Sequence, residues 1–304
     1  MKSNGGTVGQ ASSGASGAVT ISGQDAEWNT GTGQLLLGMG GSGASLSIDD
    51  GGRLTSNGSI IGKGNHPAGS ATVIMRRRTV WDAQVGGNRF EVGLYQGGEL
   101  RVEQGARLLT REANVGYAVS TPGESPRDHK RGGFEWDAGA NAIVLGSYGG
   151  NGELAVLNQS RVKAGAIMVG GDSANPGSDG TGVLRIGAGA VIETGQVATL
   201  AAGTGSVIAD GGLLRLTGDQ PGLFAGFKAG DIKLEANGLT IDINRPYSAT
   251  AVAGLSGAGA YQNRHGHVDT GRAKQLSRTD HRRRRRAAGG RQRQFRRQRQ
   301  LSHQ

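Results

Sequence analysis

The chain has 304 residues, 58 of them glycine, six proline and none cysteine. That glycine content far exceeds the usual ~7% without a collagen triplet, and the missing thiols exclude a disulfide scaffold or a thiolate metal site. Charge is uneven: residues 261–304 hold 14 bases against Asp269 and Asp280, so the net +10 arises there and residues 1–260 are slightly acidic.

Aromatic residues make up 4% of the chain, so the core must be built from Val, Ile, Leu and Ala. Small side chains of this kind suit thin repeated β layers. No stretch approaches 18 consecutive apolar residues, which excludes a transmembrane helix. No series of alternating ten-residue strands suggests an outer-membrane barrel either. Residues 1–16, beginning "MKSNGGTVGQASSG", read as a flexible segment without the apolar core of a signal peptide.

From residue 17 the chain becomes periodic. Aliphatic-Gly pairs stand at Leu37-Gly38, Ile61-Gly62, Val92-Gly93, Val115-Gly116, Leu145-Gly146 and Val169-Gly170. Their glycines are separated by 24, 31, 23, 30 and 24 residues, a super-repeat of 53 to 55. Continuing it predicts a further landmark at Leu200-Ala201. The three tryptophans, Trp28, Trp81 and Trp136, follow the same period at 53 and 55. Between landmarks runs a Gly-x-aliphatic-x-aliphatic motif: "GAVTI" at 17, "GELRV" at 98, "GELAV" at 152, "GVLRI" at 182 and "GLLRL" at 212. Such alternation marks short half-buried strands, and the frequent Gly-Gly and Gly-Ala pairs turn corners between them. The pattern predicts one coil of a right-handed parallel β-helix per cycle, spanning residues 17–260. A propeller, with blades of ~40 to 50 residues, fits the alternating spacing poorly.

Candidate chemistry is sparse along this run. "DDGG" at 49–52 reads as a corner. Gly62-Lys63 is followed by Gly64 within a β pattern, which fails the phosphate-binding loop. The stretch 69–90 fits the repeat only loosely, and its run of three arginines, Arg76, Arg77 and Arg78, has no evident role. "GDSANPG" at 171–177 contains Ser173, but a nucleophile needs a base and an orienting carboxylate, and the body offers only His66 and His129. Asp172, Asn175 and Asp179 depart from calcium-loop spacing because Ala174 occupies a ligand position. A sugar-stacking role for the tryptophans competes with simple packing at a fixed phase. No catalytic, cofactor-binding or metal-binding residue is nominated, and no cofactor, small-molecule substrate or enzymatic activity is expected.

The cycle "GAVTISGQDAEWNTGTGQLLLGMGGSGASLSIDDGGRLTSNGSIIGKG", residues 17–64, resembles the passenger domains of Gram-negative autotransporters. "LTIDINRPYSATAVAGLSGAGA", 239–260, is similar to the opening of that family's passenger-associated transport repeat. The resemblance implies a non-enzymatic passenger fragment, displayed in the parent protein as a cell-surface stalk or adhesin. Its implied partners are the parent's own C-terminal outer-membrane barrel and host surface or matrix molecules. As written, without a signal peptide, the chain is expected to stay cytoplasmic.

After residue 260 the family pattern stops and "YQNRHGHVDTGRAKQLSRTDHRRRRR" begins. Read one base later with permitted codons, this stretch becomes Thr-Lys-Thr-Gly-Thr-Gly-Thr-Leu-Thr-Leu-Ala-Gly-Gln-Asn, the continuation the family leads one to expect. Residues 261–304 are therefore read as a disordered, Arg-rich tail out of frame, without a specific nucleic-acid partner. Two alternatives remain: a β-helix with a genuine nucleic-acid-binding tail, whose phosphate contacts would weaken steeply with salt, or a carbohydrate-binding or -processing β-helix. The last would need carboxylates clustered on one face of successive coils, and acidic pairs do not recur at the cycle length.

Overall fold

The computed structural model describes residues 1–10, 16–39, 43–62, 71–93, 98–116, 133–147, 149–171, 180–200, 203–243, 247–264 and 268–269. Among them there is no helix, and every pairing between named strands is parallel and joins strands of successive coils. The result is a β-solenoid with three faces. One turn is Leu35–Met39 on the first face, Gly43–Asp49 on the second and Arg53–Thr55 on the third, before Ser59–Ile61 returns to the first.

An eight-stranded sheet from Gly6–Gln10 to Val197–Ala198 forms the first face. The second is a four-stranded sheet, Ser16–Ser22 to Gly98–Val102, then a five-stranded one, Asn151–Val156 to Leu255–Gly257. The third face is a single ten-stranded sheet running from Glu27–Asn29 to Tyr261–Arg264. Gln220–Leu223, Ala249–Ala251 and Val268–Asp269 make a final three-stranded sheet.

The sequence landmarks become vertical columns. Val8, Leu37, Ile61, Val92, Val115, Leu145 and Val169 are consecutive register partners on the first face. On the third, Trp28, Leu54, Trp81, Leu108, Trp136, Val162, Ile192, Leu214 and Ile241 stack one above another. All nine are buried. At ~25 cal/mol per Å² of apolar surface removed from water, stacking such columns stabilises each coil on the next. Tryptophan recurs in every second coil, so the super-repeat of 53 to 55 residues is two coils, one for each cycle of 23 to 31 residues.

Each landmark glycine works through its backbone. Gly38, Gly62, Gly93, Gly116, Gly146 and Gly170 all have φ between 70° and 87°, a left-handed conformation that costs a residue with a Cβ about 1–2 kcal/mol. The amides of Gly62, Gly93, Gly116, Gly146 and Gly170 continue the ladder by donating to the landmark carbonyl of the preceding coil.

Four expectations change. The solenoid begins before residue 17, since Gly6–Gln10 is a strand paired with Leu35–Met39 and the segment 1–16 is not simply a flexible lead-in. The landmark at Leu200-Ala201 is displaced: Ile167 and Met168 pair with Val197 and Ala198, so the register brings Thr199 level with Val169. The stretch 71–82 is a regular coil, with Ala71–Met75 and Val80–Asp82 in register on both sides. Arg76, Arg77 and Arg78 are its corner. Finally, strand pairing continues past residue 260, since Tyr261 to Arg264 pair with Leu239 to Asp242, and Val268–Asp269 with Ala249–Thr250. The remaining tail, including the arginine run 282–286, lies outside the described residues.

Candidate functional site

The longest run of ion pairs among the described residues lies on the outward side of the third face. In a strand the residues flanking a buried one point the opposite way. The buried column therefore has charged columns on both sides. One reads Asp137, Lys163, Glu193, Arg215, Asp242 through successive register pairs. Its sign alternates at every coil.

The contacts follow the register. Lys163 Nζ lies 3.8 Å from Asp137 Oδ2, Arg215 Nη1 2.8 Å from Glu193 Oε1 and Arg215 Nε 3.1 Å from Asp242 Oδ2. Arg161 adds a second cation at 3.4 Å from the same Glu193 oxygen. Arg215 is held firmly protonated, chiefly by its hydrogen bond to Asp242, which with Glu193 outweighs the opposing effect of burial. The other flanking column pairs Arg107 with Glu135 at 2.9 Å. Carboxylates and cations that neutralise one another across coils are built to clamp neighbouring strands. They are poorly placed to transfer protons.

A second cluster sits where the second face turns into the third. Asp49, 7% exposed, accepts from Arg76 Nε at 2.9 Å and from the Asp50 amide at 2.9 Å, with Arg77 Nη1 at 3.2 Å. Burial pushes its pKa up, but these hydrogen bonds and the two guanidinium charges win and hold the carboxyl below its usual range. The corner needs left-handed residues: Asp50, Arg77, Arg78, Gln104, Asn158 and Gln159 have φ of 51° to 65° without being glycine. The three arginines thus cross a tight corner over the "DDGG" corner of the coil before.

The tryptophans are structural. Trp28, Trp81 and Trp136 are 7%, 0% and 3% exposed, which leaves no ring face for a sugar. Each indole N–H donates to a hydroxyl one coil earlier: Trp28 to Ser3 at 3.0 Å, Trp81 to Ser56 at 2.9 Å and Trp136 to Thr110 at 2.9 Å. This pairing was discoverable, because a hydroxyl residue precedes each tryptophan by 25 or 26 positions. The charge ladder was harder to see. Its spacings of 26, 30, 22 and 27 residues from Asp137 to Asp242 are too irregular to read without strand register.

Lys63, His66, His129, Asp172, Ser173, Asn175 and Asp179 lie outside the described residues. Among the described residues, no three His, Cys, Asp or Glu side chains come together as a metal site. Buried Thr79 Oγ1, Asn114 Oδ1 and Ser147 Oγ lack hydrogen-bond partners but stand on different coils and do not converge. Compared with known proteins, the chain matches no family model, no curated protein and no solved structure.

Proposed function

We propose that the chain is a non-enzymatic segment of an autotransporter-type passenger, displayed in its parent protein as a cell-surface stalk or adhesive surface. The observation that supports this reading is the parallel solenoid itself, with its landmark glycines at one corner of successive coils. Each coil offers an unpaired strand edge on which the next can form, so the fold can grow coil by coil as a chain emerges from a pore. Connections at the corner between first and second faces vary most: 40–42, 62–70 and 170–180 are among them. The corner between second and third faces stays short, as at 50–52, 76–79 and 157–160. Variable connections on a rigid scaffold are where binding specificity is usually carried.

The test is export. Residues 17–264, placed between a signal peptide and an outer-membrane translocation barrel in a Gram-negative host, should become accessible to protease added outside intact cells. Retention in the periplasm, while an established stalk with the same barrel is displayed, would refute the reading.

A second reading is favoured by one observation. Tyr261–Arg264 pair in register in the frame as written, so the basic tail can be a genuine extension that holds nucleic acid through phosphate contacts. The nucleotide sequence around codon 261 separates the two. An open shifted frame running on into barrel strands supports the passenger, and a closed one supports the tail.

A further inference from the structure

We propose that the third face carries a register code, in which alternation from coil to coil prevents a strand from pairing with the wrong neighbour. A parallel solenoid faces this hazard because every coil offers a similar template. Skipping one coil leaves an aliphatic column facing an aliphatic column, and the extra loop adds an entropy that grows only logarithmically with length. Val162, Ile192, Leu214 and Ile241 are such interchangeable partners.

Two alternations divide the sheet between them. In the first five coils large and small side chains alternate inside: Trp28, Leu54, Trp81, Leu108, Trp136. A skipped coil there would put tryptophan against tryptophan in a layer with room for one. After Trp136 no tryptophan remains, and from there the charge ladder begins. Skipping one coil in Asp137, Lys163, Glu193, Arg215, Asp242 sets Asp137 beside Glu193, Lys163 beside Arg215 and Glu193 beside Asp242. Each wrong pairing is between like charges, which are destabilising when directly opposite on neighbouring strands. The correct register makes contacts of 3.8, 2.8 and 3.1 Å.

The chain has no cysteine, so introduced pairs report register without background. Val191, Leu213 and Thr240 are successive neighbours on the same outward side. Adjacent strands stand ~4.8 Å apart and can be bridged, whereas a two-coil gap of ~9.6 Å exceeds the ~7 Å limit of a disulfide. Val191→Cys with Leu213→Cys therefore bridges in the native register. Val191→Cys with Thr240→Cys bridges only when Gly212–Leu216 is skipped. The chain is refolded from denaturant under oxidising conditions and the bridged fraction measured.

Asp242→Arg makes the skipped pairing attractive and the native one repulsive. It is expected to raise the skip bridge roughly fivefold over Asp242→Asn, which removes the native ion pair without adding attraction. The rise should collapse in 1 M salt, where screening acts within ~3 Å. The milder Glu193→Gln removes the repulsion of the skipped register together with the native pairs to Arg215 and Arg161, adds no attraction, and should raise the same bridge by a smaller factor. Equal skip bridging in Asp242→Arg and Asp242→Asn, or no rise with Glu193→Gln, would overturn the proposal and leave the ladder as a stabilising element alone.

Discussion

Trp81 combines a fully buried ring, an edge-to-face contact with Phe90 at 5.1 Å and an N–H bond to Ser56. Trp81→Phe should cost about 1–2 kcal/mol through the lost hydrogen bond and reduced volume, and Trp81→Ala about 3–5 kcal/mol by opening a cavity; shifts in the urea unfolding midpoint check both. Glycines divide just as sharply. Gly146 has φ of +72° and a Cβ there would meet the Thr181 carbonyl, so Gly146→Ala should destabilise by at least about 2 kcal/mol. At Gly218 a Cβ meets nothing within 4 Å, and Gly218→Ala should be neutral or stabilise by up to about 0.5 kcal/mol. Equal effects at the two positions in thermal melts would show that glycine serves composition here and not conformation. The landmark glycines were legible because conformation ties them to a fixed place in each coil. Asp50, Arg77 and Gln104 were not, because left-handed corners formed by ordinary side chains leave no compositional mark.

At the scale of strands and corners, what counts is how charge crosses from one coil to the next. Removing Arg215 leaves Asp242, itself 5% exposed, without its 3.1 Å partner, and Arg215→Ala should cost about 2 kcal/mol. Arg107 and Glu135, whose side chains are 49% and 40% exposed, form a solvated pair, and Arg107→Ala should cost under about 1 kcal/mol. Chemical denaturation of the two variants side by side tests this ranking. The corner of Asp49 gives a pH dependence of definite sign. Because its folded pKa lies below the ordinary value of 3.8, its contribution is fully present at neutral pH and is lost as pH falls below about 4. Stability measured between pH 6 and pH 3 should fall less steeply in Asp49→Asn than in the unaltered chain. Element positions were readable wherever Gly-x-aliphatic-x-aliphatic recurred. Ion pairing was not, since it depends on register, and connections of uneven length hide which residues share a rung.

The whole molecule follows from one constraint: a chain poor in large side chains can build a core only by repeating a thin layer many times. That made the solenoid readable from glycine spacing and three tryptophans, although the two-coil period of the tryptophans lies above the single-coil unit of the fold. The extent of the fold was less legible. Composition breaks at residue 261, yet pairing runs on through Arg264 because backbone hydrogen bonds do not require an aliphatic side chain. The most direct measurement of coil stacking uses paired spin labels on one outward column. Arg53, Val80, Arg107, Glu135, Arg161, Val191, Leu213 and Thr240 are successive neighbours in it. With one label at Arg53 and the other at Arg161, Leu213 or Thr240, backbone separations should rise linearly at ~4.8 Å per coil, to about 19, 29 and 34 Å. Separations that fail to increase in step with coil number would contradict the stacked columns on which the rest depends.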